Sequence, residues 1–209
     1  MASMAHRVAK GLVGGCALLL GVTVTGCGAP QYTYVANSSK STYFKVPHGW
    51  HKIDQSALQH ALEQATGSSG GGWQVAYEAG GRPTANDFLS FGAAHPFVFA
   101  DVGQLSQTAS NQMSYDVLRD LLFPVTSNAR QNATSQGYPL TDFKQIRDQT
   151  LMLNQGVHGV RETFEYSYNG IADTFDQVAL TNADQTVFYL LFCTAPAVAI
   201  AATSPRSTT

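Results

Sequence analysis

From Phe143 to Cys193 the sequence changes period, and this stretch more than any other limits the folds open to the chain. Val160, Glu162, Phe164, Tyr166 and Tyr168 alternate with Arg161, Thr163, Glu165 and Ser167, the period of two that marks a half-buried strand. Asn169-Gly170 follows, a pair favoured in tight turns. Phe175–Leu180 predicts the next strand and Thr181–Gln185 a turn. Val187–Cys193 predicts a further strand, apolar on both faces. Such a run belongs in the middle of a sheet covered on each side. Upstream, Lys144–Leu153 reads as a strand closed by Asn154-Gln155-Gly156. Strands joined by short turns in this way form an antiparallel meander.

The preceding hundred or so positions mix strands with helices. Tyr43–Val46 is β-forming and stops at Pro47, with a turn at His48-Gly49. Asp54 is a good N-cap for a helix whose buried face is Ala57, Leu58, Ala61, Leu62 and Ala65, ending at Gly67. Ser68–Gly72 reads as a flexible loop. Trp73–Tyr77 and Pro96–Val102 predict strands, with a turn of helix around Asn86–Leu89. Ser114 caps a second helix with Val117, Leu118, Leu121 and Leu122 as its buried stripe and Pro124 beyond its end. Asn128–Tyr138 is polar and carries no clear signal. Helices and strands in separate runs give the class α+β with a mostly antiparallel sheet.

The first 26 residues read differently. Met1–Gly11 carries Arg7 and Lys10 without an acid, Leu12–Val24 is apolar, and Val24-Thr25-Gly26 leads into Cys27. That order is a secretory signal; a spanning helix needs about 20 apolar residues. Val24-Thr25-Gly26-Cys27 resembles a bacterial lipobox, and the resemblance implies a palmitate-type acyl anchor on Cys27 at the extracytoplasmic face of the cell membrane. A plain cleavage site before an ordinary thiol is the rival reading. Val13-Gly14-Gly15-Cys16 also matches, but almost no apolar core precedes it. The expected organisation is a signal at 1–26, a lipidated tether at 27–42, a domain at 43–194 and an irregular or short helical tail at 195–209.

Of three cysteines, Cys16 leaves with the signal and Cys27 takes the lipid, so Cys193 has no disulfide partner in the mature domain. The chain is mildly acidic, with a net charge of −2, and offers no basic patch for nucleic acid. Known chemical motifs are missing. His48 and His51 are spaced HxxH, but no third ligand is spaced for zinc, and HExxH and CxxC do not occur. Gly67–Gly72 is not followed by the Lys and Ser/Thr of a phosphate loop, and there is no GxSxG elbow. Asp173, Asp176 and Asp184 lack calcium-loop spacing. No enzyme, cofactor or metal is expected. The abundant aromatics fit a core, or a cleft for an apolar ligand in which Trp50, Trp73, Tyr77 and Tyr166 are the candidate lining.

Tyr43-Phe44-Lys45-Val46-Pro47-His48-Gly49-Trp50-His51-Lys52-Ile53 resembles the opening of PsbP-like proteins. That superfamily includes a photosystem II extrinsic protein, Ran-binding Mog proteins and actinobacterial lipoproteins of the LpqN type. Gly156–Arg161, Asp176–Leu180 and Val187–Phe192 are similar to the late meander of such lipoproteins. The resemblance implies an α/β/α sandwich around a central antiparallel sheet. It also implies a non-catalytic accessory or docking role in the cell envelope, with an envelope protein or a small apolar ligand as partner. The C-terminal end departs from the pattern, which usually finishes on a helix packed against the sheet.

Overall fold

The computed structural model describes residues 31–66, 72–89, 95–168 and 170–196. It opens with a hairpin of β1 (Tyr32–Asn37) and β2 (Thr42–Pro47). There follow β3 (His51–Lys52), α1 (Gln55–Thr66), β4 (Trp73–Glu78), α2 (Ala85–Leu89) and β5 (Phe97–Gln104). Three short helices come next: α3 (Gln107–Gln112), α4 (Tyr115–Arg119) and α5 (Ser127–Ser135). The chain then runs through β6 (Leu140–Met152), β7 (His158–Tyr168), β8 (Ile171–Thr181) and β9 (Val187–Pro196).

Strands β3 to β9 form one antiparallel sheet in the order β3-β4-β5-β9-β8-β7-β6. The meander is as expected, and β9, apolar on both faces, takes the centre of the order. Its Phe188, Leu190 and Phe192 face one core while Leu191 and Cys193 face the other. At Gly159 the sheet leaves no room for a side chain: a Cβ there would stand 2.0 Å from the Ala179 carbonyl oxygen on β8.

The two faces are covered differently. On the first, Leu58 of α1, Ala85 of α2 and Leu118 of α4 pack with Phe123, Val160, Phe164, Tyr166, Phe175 and Phe192. Phe123 is the hub, with ring centroids 4.6 Å from Phe175 and 5.5 Å from Phe192. On the second, Val35 and Val46 of the hairpin lie on Val75, Val98 and Ala100. The class is therefore α+β around a large antiparallel sheet, as expected. Among the described residues the second helical layer of an α/β/α sandwich is absent, and a β-hairpin covers part of that face.

Several boundaries differ from expectation. The presumed tether at 27–42 includes β1, because Tyr32, Thr33, Tyr34 and Val35 are strand formers that pair fully with β2. Asn37 makes the turn by accepting from the Lys40 amide through its side chain, and Ser41 adopts φ +50°. Ser114 does cap α4, accepting from the Val117 amide, yet the helix ends at Arg119 and buries Leu118, while Val117 and Leu122 are exposed. The featureless 128–138 stretch contains most of α5, whose cap is Thr126, accepting from Ala129. Strand β9 runs on to Pro196, into the expected tail. The signal, Cys27, the loop 68–71 and the tail from 197 onward lie outside the described residues.

Candidate functional site

The four aromatics expected to line a cleft are divided by the sheet. Trp50, Trp73 and Tyr77 gather on the hairpin side, half-buried against Val35, Val46, Val75 and Val98. Phe44 of β2 reaches Trp73 at 6.3 Å between ring centroids. These rings glue the hairpin to the sheet, which leaves them little surface for a ligand. Tyr166 is on the opposite face, buried beside Phe123 and Phe143. Its hydroxyl donates to the Pro124 carbonyl, and burial pushes its pKa up to about 12. A strand's period of two decides this division: Tyr166 shares the parity of Phe164 on β7, so it faces the helices.

Beyond the aromatic cluster, the same hairpin face holds a groove of about 590 Å³. Its floor comes from three adjacent strands: Ala100 and Val102 of β5, Val178 and Leu180 of β8, Tyr189 and Leu191 of β9. The β2 end, Ser41 to Phe44, makes one wall. Asn182, Ala183 and Asp184 of the β8–β9 turn make another, with Gln155 and Val157 beside them. That turn is fixed by Asn182, whose side-chain oxygen accepts from the amides of Thr186 and Val187 at 2.8 and 3.0 Å. The groove is open to solvent along one side. Asp184 is the single carboxylate in its lining, which combines an apolar floor with a polar rim.

A second polar feature is buried on the helix face. Glu162 of β7 and Gln177 of β8 are both fully buried and are register partners. The Gln177 amide donates to the Leu118 and Arg119 carbonyls at 3.0 and 3.1 Å, satisfying the last turn of α4. Arg119 approaches Glu162 at 3.6 Å but is shared with Asp148 at 3.0 Å and Asp116 at 3.1 Å. Desolvation, aided by Asp148, therefore outweighs the cation and raises the Glu162 carboxyl to about 7. Sequence reading placed Glu162 in the inward set of β7 without drawing the consequence; a lone acid among apolar inward residues was the signal. Glu78 is also buried, and desolvation followed by Asp87 raises its pKa.

The remaining candidates are dispersed. His48, His51 and His60 are exposed, and among the described residues no three His, Cys, Asp or Glu side chains gather to hold a metal ion. Asp176 pairs with Arg161 at 2.7 Å on the meander. Cys193 lies on the hairpin face, where burial, with Asp176 second, pushes its thiol up to about 12.

No family model matches the sequence, and no curated protein matches it. Solved structures with a similar trace include a protein of unknown function from Pseudomonas aeruginosa, 14% identical, with a TM-score of 0.37. The match covers 86% of this chain and 100% of that one. Another is the Ran-binding protein Mog1p of Saccharomyces cerevisiae, 9% identical, with a TM-score of 0.41 over 82% of this chain and 80% of that one.

Proposed function

We propose that this chain is a lipid-anchored, non-catalytic lipoprotein of the cell envelope whose domain docks a protein partner in the hairpin-side groove. The anchor reading rests on Val24-Thr25-Gly26-Cys27 behind a basic and then an apolar segment. No described helix is long and apolar enough to cross a membrane. The resemblance to PsbP-like lipoproteins of actinobacteria points the same way, toward assembly or docking.

The observation that carries the docking reading is the floor of the groove. It is an apolar patch on the meander itself, half-buried at Val178, Leu180, Tyr189 and Leu191 and open along one side. Exposed contiguous apolar surface of this kind marks interaction sites. A small apolar ligand is the second reading, favoured by the groove's volume, which lies within the roughly 300–1,000 Å³ of small-molecule sites.

Native mass spectrometry on protein gently extracted from its own membrane tests both parts. A chain beginning at Cys27 with a diacylglyceryl group supports the anchor, and an unmodified Cys27 refutes it. A retained polypeptide that is lost in a folded Leu180→Arg variant supports docking. A retained small mass lost in the same variant selects the ligand reading, and retention unaffected by the substitution removes the groove from either role.

A further inference from the structure

We propose that the outer face of the β1–β2 hairpin is a membrane-contact surface, laid on an anionic bilayer by the lipid on Cys27; this rests on the anchor reading above.

The hairpin has two faces with different tasks. Val35, Phe44 and Val46 point inward and hold it to the sheet. Tyr32, Tyr34 and Tyr43 point outward, 40%, 65% and 65% exposed. Tyr34 and Tyr43 stack with centroids 5.7 Å apart and planes within 14°, and the Lys45 ammonium sits 4.3 Å over the Tyr32 ring. Three exposed aromatic rings on six-residue strands are more than a solvated hairpin needs. Tyrosine suits the boundary between headgroups and acyl chains, where its ring is in apolar surroundings and its hydroxyl stays wet.

Charge and chain length select the same partner. No Asp or Glu occurs before Asp54, so the hairpin carries Lys40 and Lys45 with no acid. All fourteen acidic residues lie from Asp54 onward, against eight basic residues from His48 to the end. An otherwise acidic domain therefore presents a cationic, aromatic end. Tyr32 lies five positions after Cys27, a span of at most about 17 Å when fully extended. A lipid at Cys27 thus tethers the start of β1 within about two Debye lengths of the headgroups, and Lys45 pairs across from Tyr34, two residues further along β1. Tyr43 also belongs to the groove wall, whereas Tyr32 and Tyr34 do not line the groove.

The test uses Tyr34→Trp and Tyr43→Trp in the lipoprotein reconstituted into vesicles of phosphatidylcholine and phosphatidylglycerol with brominated acyl chains. Bromine quenches only an indole that reaches the acyl boundary. The expected result is severalfold stronger quenching for both variants than for the parent, whose Trp50 and Trp73 lie beneath the hairpin. Ile146→Trp, on β6 at the far edge of the sheet, should behave like the parent. Equal emission from brominated and unbrominated vesicles for both hairpin variants would overturn the proposal. The mass of the extracted protein is read first. If Cys27 carries no lipid, the anchor reading fails, and the same variants are coupled through Cys27 to a maleimide-headgroup lipid. Quenching then still establishes the face as membrane-competent, and its absence refutes it.

Discussion

Glu162 and Gln177 face each other across β7 and β8, both fully buried, and each keeps one side-chain oxygen without a hydrogen-bond donor. Protonation of Glu162 removes the charge whose burial is unfavourable and turns one of its oxygens into a donor. Sheet and helix are joined at the same point, because the Gln177 amide closes the last turn of α4.

Stability should consequently fall as pH rises. The Glu162 carboxyl is raised from 4.5 to about 7 on folding, so the folded state binds this proton more tightly than the unfolded state. Its contribution is complete below the unfolded value and is lost as pH rises through the folded one. Asp148, Asp120 and Arg119 face the group and keep it coupled to their charges. Glu162→Gln should flatten the profile and stabilise the domain by roughly 2–3 kcal/mol at pH 8. Denaturant titrations at pH 5 and pH 8 check this, and an unchanged pH slope in the variant would count against it.

Asp120→Ala should loosen the entry to α5. One carboxylate oxygen accepts from the Val125 and Thr126 amides, both at 2.8 Å, and the other from the Thr126 hydroxyl at 2.6 Å. Losing these bonds is expected to cost about 2 kcal/mol. Hydrogen exchange should accelerate first at the amides of 125–130, and unchanged protection there would show that the carboxylate is dispensable.

Trp50→Ala should destabilise by about 2–3 kcal/mol, less than a fully buried indole, because Trp50 is half-buried in the hairpin-side core. The loss should appear as faster exchange in β1 and β2, while the amides of β7 and β8 stay protected. A change near zero would place Trp50 outside the core.

Cys193 should resist alkylation in the native protein. With its thiol raised to about 12, thiolate at pH 8 is scarcer than for a free cysteine by a factor on the order of 10³. Site-resolved labelling with iodoacetamide, native against unfolded, measures the ratio. Equal rates in both states would mean that the thiol is not held in this apolar environment.

The meander was legible because its period of two is long and unbroken: the inward parity of β7 placed Val160, Phe164 and Tyr166 correctly on one face. The α1 cap was legible for a similar local reason, Asp54 accepting from the Ala57 amide at 2.9 Å. The hairpin was not. Pro30, Ser38 and Ser39 suggested a linker, and the cross-strand pairing that makes Tyr32–Asn37 a strand is a relation between residues that local composition does not record. That Trp50, Trp73 and Tyr77 lie on the face opposite Tyr166 was not legible either, since parity within one strand does not say how the faces of separate strands line up across the sheet. The groove is assembled from β2, β5, β8 and β9, and no single segment of sequence announces it.

Strand β6 is the outermost of the sheet and spans Leu140–Met152, a long row of backbone groups with no neighbour on one side in the sheet order. Its ladder to β7 is interrupted between Thr141 and Lys144 and again between Gln145 and Arg147, and Asp142 adopts φ +54° at the first break. Lys144, Arg147 and Asp148 are exposed along it. A second copy trying to extend the sheet would meet a kinked register and charges. Crowding many copies side by side, as a surface monolayer does, should therefore yield a population of separate molecules and not a filament.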